Sequence, residues 1–361
     1  MNLIQGQRKL YETQYGKEEA LCFNVENNKY WVKRYLNNRR YEIGGLLAIG
    51  GFGCVFGAYD LWNYKNQVVI KTPFYMGDYC RPYIARSKQV FEKQLKALNK
   101  IYEWEKKYLC NFSNEGFDNI VNINDFFKDR SLELCMPFKD AAGVGYYVDE
   151  SLREKAPFIV MKYIPGKELK DLINKKPLNQ IQTLQLAKQL LVLLSHLHKQ
   201  RKTKKGIPFY YLLCDLKADN IIVCDDEIIL IDFGATKIYR MDQQEIDIPI
   251  SVTDGYAAPE VYSGSIEFCD NPKIDKRFDV FTVGALMVHC LTGKHPRKFL
   301  VSQTPPEHDF NLKNYPDIIR PIKKIIMRAT HKDRQKRYPN SKTMLKAIWK
   351  TLKFCWSKNI T

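Results

Sequence analysis

No run of apolar residues in this 361-residue chain is long enough to cross a bilayer. The apolar run LLVLL (190–194) is far too short and has helical context, and the N-terminal MNLIQGQRKLYETQYGKEEA lacks the apolar centre of a secretion signal. Internal repeats and low-complexity tracts are also missing, so nothing suggests a solenoid or a disordered tail. Among the 10 cysteines there is no CxxC pair, and no histidine stands at metal-ligand spacing from one, which leaves no zinc-site pattern. What remains is a cytoplasmic protein with reduced, buried thiols. Cys54, inside a glycine-rich turn, is the one thiol whose oxidation would matter.

Acidic residues are scarce late in the chain: from Arg320 to the end Asp333 is the only one. The whole sequence carries 57 Lys and Arg against 40 Asp and Glu, a net charge of +17, and KQRKTKK (199–205) is a second basic cluster. Such an excess favours encounter with acidic protein substrates, an anionic membrane or nucleic acid. A lysine-rich solvated surface accounts for it without any partner. With 45% hydrophobic and 27% charged residues, the chain has the composition of a globular protein, long enough for two lobes.

Residues 1–40 show little periodicity, although ALCFNV and KYWVKRYL have strand character. From Tyr41 the pattern is rich in strands: YEIGGLLAIG, GCVFGAYDLW and QVVIKTPFY. A long helix follows, then strands around IVNINDFF and APFIVMKYI. After about Leu169 the pattern is mostly helical, with LQLAKQLLVLLSHLH as a buried helix.

The most informative stretch is CDLKADN (214–220), with Asp215, Lys217 and Asn220; Asp232 of IDFG comes twelve residues after the Asn. The intervening IIVCDDEIILI reads as strand, acidic turn, strand. A hairpin folds its ends together, so Asn220 and Asp232 can hold one divalent cation with Asp215 close by as a base. Phosphoryl transfer from a nucleotide needs that arrangement. The string resembles the catalytic and metal-binding loops of protein kinases, HRDLKxxN followed by DFG.

That resemblance extends over residues 46–338. AIGGFGCVFG and VVIK are similar to the family's GxGxxGxV and VAIK, with Gly50, Gly53 and Val55 matching, Gly51 between them, Ala48 at the first glycine and Val69 at the alanine. It implies that Lys71 anchors ATP phosphates and is held by a helix glutamate. Glu92 and Glu105 compete for that place. Phe91, Leu95, Leu98, Tyr102 and Leu109 form an apolar stripe at spacings of three and four; Glu105 completes it and Glu92 lies off it, which favours Glu105.

PFIVMKYIPGKEL resembles the hinge, implying Met161 as gatekeeper, Lys162, Tyr163 and Ile164 beside adenine, Glu168 at the ribose and Ile222 lining the nucleotide pocket. By the same resemblance Asp215 is the base, Lys217 steadies the phosphoryl group, and Asn220 and Asp232 ligate Mg²⁺, or Mn²⁺ in its place. TDGYAAPE (253–260) resembles the end of an activation segment, implying that Thr253 bridges Asp215 and Lys217 and that Glu260 pairs with Arg337. DVFTVG implies that Asp279 braces the catalytic loop.

The departure is at 213–214, where Leu-Cys replaces His-Arg. Losing that Arg implies activity without phosphorylation at sites such as Thr236 or Ser251. IDFGAT, GYAAPE and LTGKHP resemble soluble, eukaryotic-like kinases of bacteria.

The expected fold is therefore α+β and two-lobed. It has an extension (1–40), a sheet-rich N-lobe with one key helix (41–164) and a helical C-lobe (165–361), with inserts at 128–156 and 199–210. The expected activity is Ser/Thr protein phosphorylation, including autophosphorylation. The competing reading is a pseudokinase scaffold, which the intact Lys71, Asp215, Asn220 and Asp232 oppose.

Overall fold

The computed structural model describes residues 4–13, 16–25, 28–50, 53–74, 88–130, 138–139, 145–146, 156–241, 252–261, 274–301, 307–310 and 312–360. The chain divides into two compact units, one of residues 1–116 and 121–164, the other of 117–120 and 165–361.

In the first unit, β1 (Gln7–Thr13), β2 (Gly16–Val25) and β3 (Asn28–Lys33) form an antiparallel sheet. β2 is the strand of ALCFNV, and its Ala20, Leu21, Cys22 and Phe23 are buried. Phe23 stacks obliquely on Phe56, 5.9 Å between ring centroids. Burying a ring of that size contributes about 1.5–3 kcal/mol, so the extension is part of this unit's core.

The main sheet contains β4 (Tyr35–Leu36), β5 (Tyr41–Ile49), β6 (Gly53–Asp60), β7 (Asn66–Pro73), β8 (Ile123–Asp129) and β9 (Ala156–Lys162). Their spatial order is β4-β5-β6-β7-β9-β8, so the last strand in sequence enters between β7 and β8. It is buried along all but its last residue, as its unbroken apolar run requires. The register sets Val55 and Ile159 on either side of Lys71, and Met161 opposite Val69. Helix α1 (Lys88–Asn114) lays Leu95, Leu98, Tyr102, Leu109 and Phe112 into the core. The side chain of Phe91, assigned to the same stripe by sequence, lies outside the described residues, as do Gly51, Ser251 and most of 131–155.

In the second unit, β10 (Lys167–Glu168) pairs with β12 (Ile221–Cys224), which pairs with β13 (Glu227–Leu230). β11 (Pro208–Leu212) pairs with a two-residue strand at Arg201–Lys202 and with β14 (Lys237–Arg240). The insert at 199–210 is thus a hairpin, turned at Gly206 with φ of +79°.

The second unit's helices are α2 (Leu169–Lys175), α3 (Gln180–Leu197), α4 (Arg277–Thr292), α5 (Arg320–Ala329) and α6 (Ser341–Ser357). A capping box starts α3: the Asn179 side chain accepts from the Gln182 N–H, and the Gln182 side chain from the Asn179 N–H. Every residue of α4 from Phe278 to Cys290 is buried, as an all-round apolar sequence predicts. Left-handed Gly293 closes that helix. No described helix is long and apolar enough to cross a membrane.

Candidate functional site

In the first unit the groups assigned to phosphate binding converge on β5–β7 and α1. The glycine turn is closed by a 2.8 Å hydrogen bond from the Gly50 N–H to the Gly53 carbonyl. Lys71 Nζ lies 2.7 Å from Glu105 Oε1, and Glu105 is 1% exposed. A carboxylate buried that deeply needs a charged partner, and α1 delivers it to the strand that carries the lysine. Glu92, thirteen residues earlier on the same helix, is half-buried.

Gly53 has a constraint that its sequence setting does not reveal. A Cβ there would fall 1.7 Å from the Tyr102 hydroxyl and 2.7 Å from the Thr72 carbonyl. That hydroxyl donates to the same carbonyl at 3.0 Å, which fastens α1 to β7. At Gly50 only the Gly53 carbonyl would come near, at 3.8 Å. Cys54 is buried, so its thiol is shielded. Val55 and Val69 are half-buried and Met161 is buried. The Lys162 N–H is already given to the Asn122 carbonyl at 2.9 Å, while the side chains of Lys162 and Tyr163 are exposed and that of Ile164 is half-buried.

In the second unit the hairpin β12–β13 brings its two ends together. Asn220 directly precedes β12, and the Ile231 N–H, directly after β13, donates to the Asn220 carbonyl at 3.0 Å. Asp232 is therefore one residue beyond that contact. Asn220 Nδ2 donates to the Asp215 carbonyl at 2.9 Å, which fixes the amide flip and leaves Oδ1 as the atom presented for ligation. Asp232 Oδ1 accepts from the Gly234 N–H at 2.9 Å, so the glycine turn orients the carboxylate. A carboxamide oxygen and a carboxylate are hard oxygen donors, the set that Mg²⁺ takes from proteins when phosphates and water supply the rest. The donor set fits the cation.

Asp215, Lys217 and Thr253 close a triangle. Thr253 Oγ1 donates to Asp215 Oδ1 at 2.6 Å, Lys217 Nζ donates to Thr253 Oγ1 at 2.9 Å, and Lys217 Nζ stands 2.8 Å from Asp215 Oδ2. Behind it, Asp279 is fully buried and accepts from the backbone N–H groups of Leu213 and Cys214, each at 3.1 Å. His198 Nε2 lies 2.9 Å from the same carboxylate. That histidine is a brace the sequence did not single out, because its partner is 81 residues away.

Cys214 adopts a left-handed φ of +64° and is buried. Burial above all, with the Asp279 charge adding, pushes its thiol well above the usual range. Buried Lys237, electrostatically coupled to Cys214, is shifted down by burial. Thr236 is 2% exposed. Glu168 pairs in register with buried Ile222 on β12, and burial raises its carboxyl, with Asp171 and Asp219 adding.

The segment 252–261 is held at both ends. Arg337, 1% exposed, grips Glu260 with two parallel bonds of 2.8 Å. Gly255, at φ +88°, packs so closely on Arg297 that a Cβ would sit 2.2 Å from its nitrogen. His308 Nε2 donates to the Gly255 carbonyl at 2.7 Å, a contact without any sequence signal.

These arrangements can be set beside known proteins. The chain is 28% identical over 192 residues to serine/threonine-protein kinase A of Synechocystis sp., matching 50% of this chain and 33% of that protein. It is 25% identical over 316 residues to serine/threonine-protein kinase D of the same organism, 86% of this chain and 52% of that one. Against serine/threonine-protein kinase PknG of Mycolicibacterium smegmatis it is 25% identical over 305 residues, 84% of this chain and 31% of the relative. The chain spans about half the length of these curated relatives or less. The profile of the protein kinase domain matches residues 41–358, nearly the whole chain, and the protein belongs to the protein kinase family.

Proposed function

We propose that this chain is a catalytically active protein kinase that transfers the γ-phosphate of ATP, with Mg²⁺ or Mn²⁺, to Ser and Thr hydroxyls of protein substrates. The observation that carries this reading is the Asp215–Thr253–Lys217 triangle with the Asn220 amide locked beside it. A scaffold that only binds partners has no physical need to orient a carboxylate, a cation and a metal ligand together.

In this reading Asp215 orients the acceptor hydroxyl and accepts its proton, a contribution of about 10²–10⁴-fold. Lys217 sits where negative charge grows on the transferring group. Lys71, held by Glu105, binds nucleotide phosphates beside the Gly50–Gly53 turn, and Val55, Val69, Met161, Tyr163 and Ile164 of the same unit take the nucleoside. Asn220 and Asp232 would hold the cation, which neutralises phosphate charge when bound. In this reading residues 41–164 carry the glycine turn, Lys71 and Glu105, and residues 165–361 carry Asp215, Lys217, Asn220 and Asp232.

Activity in this proposal does not require a phosphorylated activation segment. Cys214 offers a buried thiol where a phosphate-receiving Arg would stand, and Thr236 is too buried to be modified in the fold. The seven described cysteines are free, which suits a reducing cytoplasm. The net charge of +17 favours acidic protein substrates.

The test is transfer of labelled γ-phosphate to the chain itself and to a proteome extract. Wild type labels and Asp215→Asn does not; equal labelling by both leaves the pseudokinase reading. Phosphatase-treated wild type keeps its rate, and recovery only after autophosphorylation refutes the activation-independent part.

A further inference from the structure

The solvent face of α6 has an unusual order. Its inner face buries Met344, Ile348, Leu352 and Cys355. Its outer face carries Lys342, Lys346, Lys350 and Lys353, all exposed, and the helix contains no acidic residue. At 100° per residue these four lysines fall within about 80° of arc. On one side of that band stand Trp349 (38% exposed) and Trp356 (49%), edge to face at 6.4 Å; on the other stands Phe354 (42%). Lys188 of α3 sits 4.6 Å over the Trp349 ring and adds a fifth cation. Trp349 and Trp356 form one exposed aromatic pair, and Phe354 stands alone across the lysine band.

The order of charge and ring selects among anionic partners. A single-stranded nucleic acid is held by a charged groove with stacking rings inside it, and duplex recognition draws on arginine forks, of which α6 has none. A protein interface puts apolar anchors at its centre and charge at the rim. Here the charge is central and the rings lie on both flanks. That layout suits a flat, anionic, amphipathic surface: ammonium groups meet lipid phosphates while indole and phenyl rings settle at headgroup depth on either side.

We propose that the α6 face is a docking surface for anionic phospholipid bilayers, which adsorbs the protein with α6 parallel to the membrane plane. This requires nothing from the phosphotransfer chemistry and stands apart from it.

The experiment is co-sedimentation of the full chain with vesicles of phosphatidylcholine alone or with about a third phosphatidylserine. Binding is expected only to the anionic vesicles and weakens steeply with salt. The triple variant Lys346→Gln/Lys350→Gln/Lys353→Gln binds at least about tenfold more weakly. Phe354→Ser/Trp356→Ser also loses affinity, and lipids brominated near the headgroup quench Trp356 in the wild type. Unchanged binding by the lysine variant, or equal binding to both vesicle types, overturns the proposal. So does absence of binding to the anionic vesicles, whether the same lysines capture single-stranded RNA instead or a dimer hides Trp356.

Discussion

Glu105 holds its carboxylate 2.7 Å from the ammonium of Lys71 while only 1% of the glutamate is exposed. The pair lies within one unit and joins β7 to α1. Glu105→Gln keeps the shape and removes the charge, which lets Lys71 move. A misplacement of about 1 Å at a reacting group can cost about a hundredfold in rate, so a loss of that order in kcat/KM is expected. Glu92→Gln should stay close to wild type. Steady-state kinetics of the two variants decide the matter, and the reverse ranking would contradict this assignment.

The two glycines of the turn should separate by mechanism. Gly53→Ala pushes a methyl into the Tyr102 hydroxyl, so it should destabilise the fold by about 1–3 kcal/mol. Gly50→Ala has room and should leave stability within about 1 kcal/mol of wild type, while raising the KM for ATP. Urea unfolding measures the first effect and ATP titration the second. A stable Gly53→Ala protein would show that Tyr102 yields easily.

The residues proposed to carry chemistry were legible because their spacing is short and fixed. Asp215 to Asn220 is one loop, and Asp232 returns through a hairpin whose strands announce themselves. Strands β5 to β7 were equally plain. The first sheet was half hidden: β1 reads QRKLYET, too polar to declare a face, and β2 shows its value only where Phe23 meets Phe56. His198 and His308 were invisible because their partners lie 81 and 53 residues away, and nothing local marks a histidine as a brace. Gly53 is legible in the sequence only as a match to a glycine pattern, whereas the atom nearest to a Cβ built there belongs to a tyrosine 49 residues on.

Asp279 supports the loop of the proposed base Asp215 through the backbone N–H groups of Leu213 and Cys214. Asp279→Ala would strand the N–H groups of Leu213 and Cys214, at about 1–3 kcal/mol each. A large drop in unfolding free energy is expected, with Asp279→Asn in between because it keeps one acceptor. In Asp279→Asn, kcat should fall more than the KM for ATP rises, since the displaced loop carries Asp215. A change confined to KM would place the effect elsewhere.

Acid should weaken the grip on the 252–261 segment through two histidines. His308 donates to the Gly255 carbonyl, and His289 Nδ1 meets the Tyr256 hydroxyl at 2.6 Å. Burial is the main reason both are pulled down to about 4, with nearby His295 adding for His289 and Arg337 for His308. In the unfolded chain a histidine titrates near 6.5. Between those values the unfolded chain binds more protons than the folded one. Stability from these groups is therefore complete above about pH 6.5 and drains away towards pH 4, by up to about 1.4 kcal/mol per pH unit for each histidine. His308→Gln retains an N–H for Gly255 but cannot titrate. Its unfolding free energy, followed by urea denaturation from neutral pH to about pH 5, should fall less steeply than that of wild type. Parallel slopes would mean that His308 is not among the groups that make this fold acid-sensitive.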